Sequence, residues 1–426
     1  MTSSLFPAWL VLFGGALPAV ADDVWPEFRG PTADGHAQVS GLPVTWSEEE
    51  HVAWKTPIHG TGWSSPVVWH ERIWLTTATE DGRELSYVAV DRESGEIVRD
   101  EVLFRVARPL EKHKFNTYAS PTPVIEEGRV YLSWGSSGLA CLDETTASVL
   151  WVRRDLECDH YRGPGSSPIL DGDRLILQYD GFDYQFVICL DKLTGDTLWR
   201  TERPLDFGTN NGDQKKAYGT PLLINAGGRR QLISPTSKGV FAYDPAAGRE
   251  LWHASFEQFS PACRPLFDGR RVYLNTGFGK AELLAIDPTG SGDVTASHVI
   301  WRELRSMPSK PSPLLIDGLL YTIHDQGVMS CLVAETGEVV WQSRVGGNYS
   351  ASPLYGDGRI YLFSEEGKGT VLRPGRAYDV LAENELADGC LASPAAIDGA
   401  LFVRTRSHLY RLQEGAGQPA ATSAGR

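Results

Sequence analysis

Eight prolines mark a period in this chain: Pro66, Pro123, Pro168, Pro221, Pro265, Pro313, Pro353 and Pro394 are spaced by 57, 45, 53, 44, 48, 40 and 41 residues. The unit between two of them is cleanest at Pro308–Trp341, PSKPSPLLIDGLLYTIHDQGVMSCLVAETGEVVW. Ser312-Pro313 opens a first apolar run, Leu314 to Ile316. Asp317-Gly318 supplies the positive φ that a two-residue hairpin turn requires. Leu319–Ile323 is the second run, and a polar loop from His324 to Gly327 leads into a third that ends at Leu332. Thr336-Gly337 turns the chain into Val339, Val340 and Trp341. Four short antiparallel strands form a sheet that cannot bury both faces alone, so such a unit needs copies of itself as neighbours.

The copies are present. Blade A opens at Trp63-Ser64-Ser65-Pro66 and reaches Asp91–Gly95; blade B opens at Ser120-Pro121-Thr122-Pro123 and closes at Trp151. Blade C runs from Ser167-Pro168 to Trp199, blade D from Thr220-Pro221 to Trp252, and blade E from Arg264-Pro265 to Trp301. Blade F is the unit above, blade G opens at Ser352-Pro353, and blade H runs from Ser393-Pro394 to Leu412. A period of roughly 40–50 residues with four strands per unit is that of a β-propeller. Blade H holds three strands, and the isolated strand around Val52-Ala53-Trp54-Lys55 reads as its fourth. Pairing first with last closes the ring and removes its open edge. The expected fold is all-β: an eight-bladed propeller of four-stranded antiparallel blades, closed by an N-terminal strand. Closing tryptophans stand at 54, 151, 199, 252, 301 and 341, while blades A and G show Val98 and Tyr378–Leu381 instead. A flat ring at a blade's outer edge docks it on the next.

Composition agrees: 44 Gly, 26 Pro, 13 Trp and 15 Tyr against 3 Met favour strands and turns. A net charge of −14 argues against nucleic acid or anionic lipid as a partner held by a broad electrostatic surface. The organisation read from this is a signal peptide over residues 1–21, an N-terminal extension over 22–50 packing on the body, a propeller over 51–412 and a disordered tail over 413–426. The signal rests on an apolar stretch ending Ala19-Val20-Ala21, the small-x-small pattern of a cleavage site. No other stretch could span a bilayer, so the expected location is periplasmic or secreted. Six cysteines in an exported chain invite disulfides. Cys141, Cys189 and Cys331, however, hold the same place in separate blades, too far apart to bridge, and read as small buried apolar residues.

Topology sorts the loops onto two faces. The short Asp-Gly and Thr-Gly turns lie on one. The long segments Glu101–Thr117, Arg153–Gly165, Thr201–Ala217 and Arg302–Lys310 lie on the other, where a rigid scaffold displays binding residues. Residues just before each opening proline should ring the central funnel: Trp63, Tyr118, Arg162, Tyr218, Arg264, Lys310, Tyr349 and Cys390, with His113, Asn116, His160, Tyr161, Lys216 and Asn348 close by. The aromatics and cations of this ring suit an anionic or sugar-like ligand or an extended peptide. Cys158-Asp159-His160-Tyr161-Arg162 invites a nucleophile or metal reading, but neither the thiol nor the imidazole has a fixed partner, and a structural loop is expected. Asp91, Asp143, Asp191, Asp244 and Asp287 precede turns, where Asp accepts backbone N–H bonds. Asp180-Gly181-Phe182-Asp183 and Asp287–Asp293 lack calcium-loop spacing and read as hairpin turns. No metal site, phosphate loop or nucleophile elbow is found.

The unit resembles the PQQ-like β-propeller repeat, Ala/Cys-x-Asp-x-x-Thr-Gly-x-x-x-Trp, as Cys189-Leu190-Asp191-Lys192-Leu193-Thr194-Gly195 followed by Trp199 shows. Blade F repeats it with Val333 in place of the Asp. The resemblance implies one of two functions. BamB-like propellers are non-catalytic and present a face to proteins. Quinoprotein alcohol or sugar dehydrogenases hold PQQ and calcium in the funnel, usually beside a vicinal disulfide, and this chain has neither adjacent cysteines nor a haem motif. The expectation is a monomeric exported binding protein for a protein, peptide or glycan, without a catalytic residue, metal or cofactor. A PQQ-dependent dehydrogenase is the alternative. The sequence does not name the ligand.

Overall fold

A computed structural model describes residues 24–417; the signal segment expected over 1–21 and the end of the tail lie outside the described residues. Eight antiparallel sheets follow one another around a central axis. Blade F is built of Leu314–Ile316, Leu319–Ile323, Val328–Val333 and Val339–Arg344, with each strand hydrogen-bonded to the next in sequence. The inner three strands are almost wholly buried and the fourth alternates, as expected when only the outer strand meets solvent. Asp317 (φ 47°) and Gly318 (φ 74°) both take the left-handed conformation that the turn demands.

The ring closes as the repeat count requires. Val52–Pro57 pairs antiparallel with His408–Gln413 and forms the outer strand of blade H, outside Ala400–Arg404 and Ala395–Ile397. No blade is left with an unmatched edge at the junction of the chain's two ends.

The repeat's tryptophan and glycine turn out to be partners in neighbouring blades. Trp54 lies against Gly95, Trp151 against Gly195, Trp199 against Gly248 and Trp301 against Gly337. In each pair the indole of one blade covers the Thr-Gly turn, or its equivalent, of the next. The indole Nε1 also donates across the gap, from Trp54 to Arg92 O (3.0 Å), from Trp151 to Lys192 O (3.0 Å) and from Trp199 to Pro245 O (3.0 Å). The docking role expected from the sequence is thus a stacked ring plus a hydrogen bond, and it explains why the glycine cannot be larger. Blade D departs from this pattern. Asp287–Asp293 is no simple hairpin turn, because Gly292–Asp293 crosses to pair in parallel with Trp252 and His253. Trp252 is fully buried beneath it and donates to Gln231 instead. Blade G, without a closing tryptophan, receives Trp46 from upstream, stacked on Tyr361 and Phe363.

At the hub, the residue before each opening proline makes a second ring. Ser65 N–H donates to Thr122 Oγ1, Thr122 to Ser167, Ser167 to Thr220, Arg264 to Ser312, Ser312 to Ser352, Ser352 to Ser393 and Ser393 back to Ser65, all within 2.9–3.1 Å. Seven of the eight blade junctions are therefore tied by the same bond. The exception lies between Thr220 and Arg264, where the arginine has no hydroxyl to offer.

Residues 24–37 fill the axis. Val24–Trp25 pairs antiparallel with Val67–Trp69, the inner strand of blade A, and so climbs from the turn face toward the loop face. His36–Ala37 pairs in parallel with the inner strand of blade G and descends again. At the bend, Arg29 is buried and donates to the carbonyls of Pro313 (2.6 Å), Pro353 (3.1 Å) and Asp34. Arg264 holds the same segment through Phe28 O and Glu27 Oε2. All six cysteines are free and buried. The single 3-10 turn among the described residues is Gly212–Gln214, and no helix is long and apolar enough to cross a membrane.

Candidate functional site

The loop face opens into a cavity of about 860 Å³ on the propeller axis. Two tiers of residues, set by the opening prolines, line it. Three positions before the prolines stand Trp63, Ser120, Gly165, Tyr218, Ala262, Lys310, Ser350 and Leu391, and all eight face the cavity. One position before stand the hub hydroxyls, of which Ser65, Thr122, Ser167, Thr220, Ser352 and Ser393 face it. An extended crossing turns alternate side chains to opposite sides. The first and third positions before the prolines therefore turn toward the lumen and the second toward the blades. Phe28, at the tip of the axial segment, also lines the cavity, so the funnel is floored rather than open from face to face.

Of the fourteen residues expected to ring the funnel, eight line it: Trp63, His113, Asn116, Arg162, Lys216, Tyr218, Lys310 and Asn348. The other six do not. Tyr349 stands four before Pro353 and is fully buried, as is Cys390, four before Pro394. Arg264 occupies the hub position itself and turns toward Glu27. Tyr118 is buried under Gly82 and donates to Leu110 O at 2.7 Å. His160 stacks on Tyr179, and Tyr161 on Phe182.

The cations of the ring are not a free positive surface. Arg162 meets Asp213 at 3.0 Å, and Lys216 meets the same carboxylate at 2.6 Å. Hydrogen bonds from both hold the Asp213 carboxyl down at about 2. Desolvation lowers Lys216, with Asp213 opposing it. Lys310 meets Glu365 at 2.9 Å, and that carboxylate also accepts from Ser350 Oγ at 2.5 Å. Asp325 accepts from Ser309 Oγ (2.5 Å) and from the main-chain N–H of Ser309 and Lys310. Asn116 bridges Arg162 O and Pro164 O, fastening the A–B crossing to the B–C crossing. His113 is lowered by burial first and by Arg162 and Lys114 next.

Sequence reading missed the acids Asp213, Asp325 and Glu365, which lie 51 residues from Arg162, 16 from Ser309 and 55 from Lys310 along the chain. It also missed Phe115 and Phe278, the most exposed large apolar side chains of the funnel, at 65% and 62% exposure. Phe278 was legible as an aromatic between two glycines in a b–c loop, but its pairing with Phe259 across an isolated bridge was not. Trp63 completes this set, its Nε1 bonded to Phe115 O and its ring under Arg406.

Cys158 and His160 do lie together, Sγ to Nδ1 at 3.8 Å. Burial raises the thiol well above its ordinary value and lowers the imidazole to about 4. His160 Nε2 also accepts from Ser136 N–H (3.0 Å), which fixes the neutral ring. An activated thiolate–imidazolium pair needs the opposite shifts. A quinone cofactor with calcium is the other chemistry the repeat suggests, and calcium takes oxygen ligands. The funnel's three acids are each engaged as above, and among the described residues no group of three His, Cys, Asp or Glu could hold a metal ion.

A family model described as "Outer membrane protein assembly factor BamB" matches residues 51–289 and 293–379. The BamB of Alkalilimnicola ehrlichii is 24% identical over 213 residues, 49% of this chain and 51% of that protein, so the chain spans about half the length of that curated relative. Among solved structures, BamB from Moraxella catarrhalis superposes with a TM-score of 0.59 at 12% identity, over 84% of this chain and 99% of that one. Quinohemoprotein alcohol dehydrogenase from Comamonas testosteroni gives 0.70 at 12% identity, over 95% and 82%. At such identities the structural likeness speaks for the fold. The PQQ-like repeat expected from the sequence is borne out.

Proposed function

The chain belongs to the outer membrane protein assembly factor BamB family, and on that premise we propose that it is an exported, non-catalytic scaffold whose funnel face binds a protein, peptide or glycan. It works in the periplasm or outside the cell, as a monomer, without a resident cofactor. The observation that carries this reading is the exposure of Phe115 and Phe278 at the funnel. Large exposed aromatics at the mouth of a cavity are the composition of a binding surface, since water is a poor neighbour for them and a partner a good one. The pairing of the funnel's cations with acids supports it from the other side: such a surface is nearly neutral in contact, and its affinity would come from aromatic burial.

A photocrosslinking side chain placed at Phe278 tests this in periplasmic extract, with Leu193 on the turn face as the control position, itself 49% exposed. Adducts are expected from position 278, lost in a Trp63→Ala/Phe115→Ala background, and absent from position 193. The same adducts from both faces would sink the funnel assignment. Micromolar PQQ with calcium, offered to the purified protein, tests the non-catalytic half. A bound-quinone spectrum with dye reduction by alcohols would replace the scaffold reading by the oxidoreductase one.

A further inference from the structure

The base of the funnel is ringed by hydroxyls that face the cavity and, among the described residues, donate to no protein group. Each hub hydroxyl accepts a main-chain N–H from the preceding blade. A hydroxyl carries one proton and two acceptor sites. With the oxygen so engaged, the proton is left over, and among the described residues none of these hydroxyls donates to a protein acceptor. Six of them, Ser65, Thr122, Ser167, Thr220, Ser352 and Ser393, face the cavity, and Ser393, the most exposed, is only 7% exposed. A ring of donor protons turned into one cavity marks a place where an acceptor belongs.

The charge beneath the ring has the matching sign. Arg29 makes its hydrogen bonds to three carbonyl oxygens, and its Nε has no partner. Two of those carbonyls, of Pro313 and Pro353, belong to the residues that follow hub positions. Burial lowers the guanidinium to about 10, which leaves it charged at neutral pH. Arg264 beside it is paired with Glu27 at 2.8 Å; Arg29 forms no ion pair among the described residues, and Asp34 is the acid whose charge acts on it. On the wall above, Asp213 and Glu365 are each held by cations, and Asp325 by a hydroxyl and two N–H groups.

We propose that the funnel base is a seat for an oxyanion, a carboxylate or phosphate group carried on an apolar body that meets the aromatic wall. A group with acceptors and no donors is what a ring of donors selects, and charge-assisted bonds to it are the stronger kind. This rests on the funnel being a binding site and adds which end of the ligand points inward.

Calorimetry on the full protein with N-acetyl-L-phenylalanine and with its primary amide tests it, since the two differ only in the anionic oxygen. The acid is expected to bind at least tenfold more tightly than the amide. Thr122→Val with Ser167→Ala is expected to remove most of that preference while the amide's affinity holds; circular dichroism confirms the fold, and Ser393→Ala is the second variant should the first be unfolded. Acetate alone separates the sources: affinity equal to that of the larger acid assigns a free small anion, and weaker affinity a chain-end group. Equal binding of acid and amide overturns the oxyanion seat and leaves the funnel as a binding site. A preference that survives the hydroxyl variants overturns its location. Binding of neither probe at millimolar concentration overturns the seat, while crosslinking at position 278 still reports on the funnel.

Discussion

The contact between Gly195 and Trp151 lets the docking of one blade on the next be weighed. Gly195 has φ +77°, and a Cβ built there would lie 2.8 Å from the indole of Trp151. Gly172, in the Asp-Gly turn of the same blade, has φ +60° with nothing within 4 Å of the same construction. Alanine at either site takes on the left-handed backbone cost of about 1–2 kcal/mol. Only at Gly195 is there also an overpacking cost of about 1–3 kcal/mol, because the indole is held by its bond to Lys192 O and cannot step aside freely. Gly195→Ala should therefore cost about 2–5 kcal/mol and Gly172→Ala about 1–2 kcal/mol. Urea denaturation at constant m reads the difference as a larger fall in midpoint. Trp151→Ala removes the obstacle, so the double variant Gly195→Ala/Trp151→Ala should be less damaged than the sum of the singles by about 1–3 kcal/mol. Equal losses for the two glycine variants, or simple additivity of the double, would refute the claim that the repeat's Gly and Trp act as an inter-blade pair.

Two further outcomes follow from burial. His160 titrates near 4 in the folded protein against an ordinary 6.5, so the unfolded chain binds the extra proton between these values. Stability is then complete above about pH 6.5 and falls as pH drops toward 4, by up to about 3 kcal/mol, less where water reaches the ring edge. His160→Gln, which keeps an acceptor for Ser136 N–H, should flatten that part of a melting-temperature profile; an unchanged slope would remove His160 as its cause. All six thiols are buried, and desolvation raises Cys141, Cys189 and Cys390. A thiol reagent should titrate none of them in the native protein and six in denaturant, and fewer than six in denaturant would show a disulfide.

The fold was legible because its determinants are local and repeated. A two-residue turn with positive φ, an alternating strand and a Trp at a fixed distance from a Gly recur with the blade, and each copy corrects the reading of the others. Even the closing strand at Trp54 could be assigned, since blade H was short by one. The site was half legible, and the misses have one physical origin each. Tyr349 and Cys390 failed on parity: counted four before the proline, they lie on the buried side of an extended crossing. Counting three throughout would have found Ser120, Ala262, Ser350 and Leu391. Asp213, Asp325 and Glu365 failed on distance, because ion pairs between crossings leave no local pattern. Asp180, read as part of a turn, ends a strand and pairs with Arg203 in full burial between blades C and D.

Arg264 is the least local of these and shows how a symmetric ring acquires a direction. Seven hub positions carry Ser or Thr, and the eighth carries an arginine whose side chain leaves the ring to bind Pro221 O, Phe28 O and Glu27. A ring of eight equivalent hydroxyls would hold the axial segment in any rotation about the axis. The arginine supplies a single charged anchor, and Glu27 answers it, so the segment has one seating. That seating places Phe28 at the funnel floor and Arg29 below the hydroxyls. This departure at the hub is thus what gives the funnel a floor of fixed shape, and an irregularity at the hub of a repeat fold is the place to look for the part of the sequence that answers to a ligand rather than to the fold.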